Sequence, residues 1–299
     1  MRQGFRWTAT FRWMATSLLG LALAAPLAAK PREIGTDATS VVSVAIPDLL
    51  LAQLLLLADD ACEVRYVPGT LDRAAHVETW LRGLAIGAAR RTRHPARLVG
   101  VVLGREEWQQ AGLACPYGVP CSAGTRVIAL PAAGDSATVT FWRTLLGGLP
   151  SLGGVPLMGT ADEAASLAPA DAFASLVVSR DLVAAAGMRG DEAWVADLLA
   201  HALSLDAALQ EKSGRAADLA GFWETVRVRY GPQGVPTADA FARDLRHQAR
   251  LFLAAQALLG SEGRLPMRSL RKMQEKGGGV VRASDLRAEW PNALSGIEP

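Results

Sequence analysis

The chain has 299 residues, half of them hydrophobic, with 31 basic and 29 acidic side chains and a formal charge of +2. That is ample for one large core, and so even a charge balance speaks against a nucleic-acid-binding protein, which concentrates positive charge. Three cysteines with no CxxC pair speak against a structural thiolate zinc site.

Residues Met1 to Arg12 carry Arg2, Arg6 and Arg12 and no acid, and the apolar stretch WMATSLLGLALAAPLAA follows. Small residues at Ala22-Leu23-Ala24 and Leu27-Ala28-Ala29 offer two cleavage sites. This pattern predicts a secretory signal peptide over residues 1–29 and export to the periplasm or the exterior. The apolar run of about 17 residues is marginal for a bilayer span. Membrane contact is therefore expected only through the leader, if it stays uncleaved. Without the leader the formal charge falls from +2 to −1.

The remainder, residues 30–299, reads as one α+β domain, with a sheet region at about 60–142 and a helical region at about 160–299. The run IPDLLLAQLLLLADDA from Ile46 predicts a buried helix entered through Pro47. CEVRYVPG predicts a strand closed by Pro68-Gly69. From Leu71 to about Arg91, Val77, Leu81, Leu84, Ala85 and Ala88 recur at helical spacing. The basic end of that helix, RRTRH, suits a helix C-terminus. ARLVGVVLG predicts a buried strand, REEWQQAG a short helix ended by Gly112, and TRVIALPA and SATVTFW two more strands.

CPYGVPC closes a tight loop, so in an exported chain Cys115 and Cys121 are expected to form a disulfide. Cys62 is then the odd thiol, read as a small buried hydrophobe. LLGGLPSLGGVPLMGT is a loop. TADEAASLA and PADAFASLVVSRDLVAAAG are helical, with Pro169 at the start of the second and Gly187 at its end. GDEAWVADLLAHALSLDAALQ is a helix with Asp191 as its N-cap. RAADLAGFWETVRVRYG and TADAFARDLRHQARLFLAAQALLG follow as helices, the second capped by Thr237 and ended by Gly260. Two short helices around the glycines at 277–279 close the chain. The tryptophans, Trp80 and Trp194 among them, read as core.

One helix carries the chemistry. Asp197 and His201 stand at i and i+4, one turn apart on one face. The stretch DLLAHAL, Asp197 to Leu203, resembles the zinc helix of HExxH metallopeptidases of the gluzincin type, where HELAHAL is common. The resemblance puts His201 on the second ligand histidine, Asp197 in place of the first, and Leu198 in place of the general-base glutamate. It implies a third ligand carboxylate on a later helix. Glu224, 23 residues after His201, fits that place, and Glu211 fits it less well. The early strand-helix-strand unit resembles the same layout, which implies a zincin-like body.

A leucine cannot take a proton from zinc-bound water. The expectation is therefore an exported, catalytically inactive metallopeptidase-like protein with a binding or structural role in the cell envelope. Its partner would be a peptide, an envelope component or a protein, and no cofactor is expected. One alternative is a metal-dependent hydrolase holding zinc through Asp197, His201 and Glu224. Another is a helical envelope scaffold unrelated to peptidases. In the plainer reading, Asp197 and His201 hydrogen-bond each other within the core, which would raise the histidine's pKa. No GxSxG surrounds Ser151, Ser175 or Ser204. RRTRH and RSLRK read as helix ends or solvated faces.

Overall fold

Hydrophobic alternation and short apolar runs build the first half of the fold. The computed structural model describes residues 32–34, 42–44, 46–133, 163–211, 214–229, 240–260, 263–295 and 297. The predicted leader, the strand SATVTFW, the glycine- and proline-rich loop, Ser151 and the expected cap Thr237 lie outside the described residues.

Strands β1 (Arg32–Ile34), β2 (Val42–Val44), β3 (Leu55–Ala58), β4 (Cys62–Tyr66), β5 (Leu98–Leu103), β6 (Cys121–Gly124) and β7 (Val127–Pro131) form one sheet, ordered β1-β2-β6-β7-β5-β4-β3. Its centre, β4-β5-β7, is parallel, and its flanks are antiparallel. Every residue of β5 is buried, as a central parallel strand covered on both sides requires. Helix α2 (Leu71–Thr92) makes the β4-to-β5 crossover that parallel pairing demands. It buries Val77, Leu81, Leu84, Ala85 and Ala88, as its periodicity predicts. The short α3 (Arg105–Gln110) ends at Gly112, whose φ of 65° glycine adopts freely.

The helical half comprises α4 (Glu163–Ala185), α5 (Ala193–Glu211), α6 (Arg215–Arg229), α7 (Ala240–Leu259), α8 (Met267–Lys276), α9 (Ala283–Glu289) and α10 (Pro291–Leu294). α2 packs on β4 and β5, and α4 on β7 and β6. α5 packs on α2, α4, α6 and α7. It thus forms a second helical layer, and it approaches α2 tightly at Gly87. A Cβ on Gly87 would lie 2.7 Å from the Cβ of Ala207, so only glycine fits there. Strands β8 (Arg189–Gly190) and β9 (Val280–Val281) pair in parallel beside the C-terminal helices. Residues 31–299 form one compact unit, and the fold is α+β with a mainly helical body. Among the described residues no helix is long and apolar enough to cross a membrane.

Three local expectations are corrected. The run from Ile46 is not one helix: a single turn, α1 (Asp48–Leu51), gives way to edge strand β3. The Asp59 carboxylate accepts from the backbone N–H of Ala61 and of Cys62, and that turn folds β3 back on β4 in the register Leu55↔Tyr66. The two helices expected around Pro169 are one, with Pro169 inside α4. The proline forfeits one helical hydrogen bond, and the apolar packing of α4 carries the helix through. Finally, Asp191 does not cap α5. Its Oδ1 accepts from the backbone N–H of Ala283 at 2.8 Å, and so caps the start of α9.

Candidate functional site

Helix α5 is rich in alanine and leucine, the best helix formers, and it is sunk in the core along most of its length. Its polar side chains therefore need internal partners. His201 is 1% exposed. Its Nε2–H donates to Oε1 of Gln248 on α7 at 3.0 Å. The amide of Gln248 donates to Oδ2 of Asp197 at 2.6 Å. Arg180 of α4 then grips Asp197 with two hydrogen bonds, Nε to Oδ1 at 2.6 Å and Nη2 to Oδ2 at 2.9 Å. A chain Arg180–Asp197–Gln248–His201 thus ties α4, α5 and α7 together. The His201 ring is closed in by Trp223, edge-on at 4.8 Å, and by Phe252 at 5.7 Å.

This corrects the direct Asp197–His201 pairing expected from the i, i+4 spacing. Gln248 stands between the two, and the histidine's pKa moves down, not up. Burial penalises the imidazolium and pushes the pKa to about 3, outweighing the hydrogen bond that His201 donates to Gln248 and the charge of Asp197.

The three residues assigned as zinc ligands are each engaged elsewhere. Glu224 is partly exposed on α6 and forms an ion pair with Arg227 one turn on, which holds its carboxyl below the usual range. Asp197 is held by Arg180 and Gln248, and His201 by Gln248. Among the described residues, three metal-ligating groups come within 4.8 Å of one another at Asp59, Cys62 and Glu78, and not at Asp197, His201 and Glu224. Leu198 is fully buried, as a packing residue.

At Asp59, Cys62 and Glu78 the thiol is sealed, donating to the backbone carbonyl of Glu78 at 3.6 Å. Burial, reinforced by the two carboxylates, pushes its pKa up to about 12. Arg82 lies 3.3 Å from Glu78 and 3.8 Å from Asp59 and offsets part of their charge. A cation would have to displace that guanidinium, so Cys62 serves as the buried small residue the sequence implied. Cys115 and Cys121 form the expected disulfide.

Sequence reasoning missed a second polar cluster, at the start of α2. Arg73 grips Asp171 of α4 with two hydrogen bonds of 2.7 Å each and donates a third to the carbonyl of Pro131 at 3.2 Å. His76 Nε2 donates to Oδ2 of Asp171 at 3.1 Å. Burial alone would raise the Asp171 pKa, but Arg73 and His76 hold it down at about 2. Ser175 donates to the Asp171 carbonyl at 2.9 Å and accepts from Arg215, which lies over the Trp80 ring at 4.6 Å. His76 is largely exposed, so this is an imidazole oriented by a carboxylate at the surface. Such a pair can accept a proton. Its members come from three helices, and no local spacing announces it.

The comparisons add no relative: no protein family, curated protein or solved structure matches the chain at a significant level.

Proposed function

We propose that this chain is an exported, non-catalytic protein with a binding or structural role in the cell envelope, whose helix α5 keeps the look of a peptidase zinc helix without its chemistry. One observation carries the reading. The hydrogen-bond chain Arg180–Asp197–Gln248–His201 uses the groups that a metal would need. An open zinc site requires a coordination position for water and a base beside it. His201 instead lies among Trp223, Phe252 and buried leucines, and the base position is Leu198. The position of α5, stacked on α2 and α4, supports the same conclusion. Export rests on the leader and is supported by the Cys115–Cys121 disulfide, which belongs to an oxidising compartment.

The test is the zinc content of the mature protein, purified without a metal-affinity tag, as wild type and as His201→Ala. The expected result is no stoichiometric zinc in either, with the variant unfolding at lower denaturant. Stoichiometric zinc in the wild type that disappears in His201→Ala would overturn the reading in favour of the hydrolase.

A further inference from the structure

Where the C-terminal ends of α2 and α4 meet α8, a cleft of about 360 Å³ opens, within the range of small-ligand sites. Arg93, His94 and Arg271 supply its charge, and Gln274 a further polar group. Met188 and Met267 form apolar walls, and no acidic residue lines the cleft. The cations come from places far apart in sequence, so a single solvated helix end does not account for them. Arg73, Arg91 and Arg180 each face a carboxylate. Arg93 and Arg271 have none within 4.0 Å among the described residues. Arg271 makes one long bond, Nη2 to the carbonyl of Thr92 at 3.4 Å, which leaves most of its N–H groups for another acceptor.

The backbone sharpens the point. Arg93 is the C-cap of α2 and sits in the left-handed region, with φ at 62°. Glycine is the usual residue there, and a side chain at such a position costs free energy that a functional role can justify. Here that position is held by an arginine that lines the cleft together with Arg271 and His94.

We propose that this cleft binds an organic phosphate. Two guanidinium groups present forked donors matched to phosphate oxygens, and the pliable methionine walls accept the carbon skeleton. The site is separate from α5, and its failure would leave the non-catalytic reading untouched.

The test is calorimetric titration of the full mature chain with glycerol 3-phosphate, with inorganic phosphate, and with phosphatidylcholine vesicles containing phosphatidylglycerol. The variants are Arg93→Gly, Arg271→Gln and, as a control on the same helix but outside the cleft, Arg268→Gln. Arg93→Gly suits the left-handed backbone, so it removes the charge with the fold intact. The expected result is saturable binding of glycerol 3-phosphate, weakened roughly ten- to a hundredfold by each cleft variant and unchanged in Arg268→Gln. Binding to vesicles alone, lost in the same two variants, supports the site with a lipid headgroup as the source of the phosphate. Three outcomes overturn the proposal: no binding of any of the three probes, binding that survives both cleft variants, or equal weakening by Arg268→Gln, which would mark diffuse surface charge.

Discussion

Acidification should expose the buried histidine of α5. In the folded chain His201 stays neutral down to about pH 3, because its site excludes water. In the unfolded chain it takes up a proton near its ordinary pKa of about 6.5. Between these values the unfolded state binds one proton more than the folded state. Stability is therefore undiminished above about pH 6.5 and falls as the pH falls, at up to about 1.4 kcal/mol per pH unit. From pH 6.5 to pH 4 the loss from this one group is about 3 kcal/mol by that slope.

Other groups titrate in the same region, with mixed signs. Asp171, held down at about 2, loses its contribution only below the usual carboxylate range, while burial raises Asp181 and Asp218 and gives them the opposite slope. All of them are shared by wild type and His201→Leu. Urea unfolding of both proteins at pH 7, 6, 5 and 4 therefore isolates the histidine by difference. His201→Leu should be less stable at pH 7, because Oε1 of Gln248 loses its donor. It should also lose stability on acidification more slowly than wild type, by about one proton's worth of slope. Parallel curves would mean that His201 titrates alike in both states, and the sealed site would be wrong.

Gln248→Met keeps the side chain's length and removes both of its hydrogen bonds. It strands the Nε2–H of His201 in an apolar box, and a destabilisation of about 2–4 kcal/mol is expected from a shifted urea midpoint at unchanged slope. Gly87→Ala should destabilise although alanine favours helices, because its Cβ would press on Ala207; adding Ala207→Gly should restore most of the loss, and additive effects in thermal unfolding would refute the close α2–α5 approach.

Where the physics is local, the sequence was enough. The apolar period of α2, the continuous run of β5, the glycine stops after α3 and α4 and the short cysteine loop all appear where their residues place them. The failures share a cause. The leucines after Ile46 suit a helix or a strand equally, and the choice was made by the Asp59 turn, which pairs β3 with β4. Asp191 has the chemistry of a cap, but the N–H it caps lies 92 residues away.

Helix α5 shows the same limit at the site itself. Spacing of i, i+4 correctly put Asp197 and His201 on one face, but it says nothing of what faces them across the helix interface. Gln248, 47 residues after His201, inserts its amide between the two, with the carbonyl toward the imidazole and the NH₂ toward the carboxylate. An amide can do this because it carries a donor and an acceptor on one rigid plane. A metal ion would have to be matched by the same two side chains with Gln248 swung away, Arg180 released and the Trp223–Phe252 enclosure opened. Each of those changes leaves a buried polar group unpaired or a packed ring displaced. Gln248 is the residue through which Asp197 and His201 are joined, which is why it is the position to mutate.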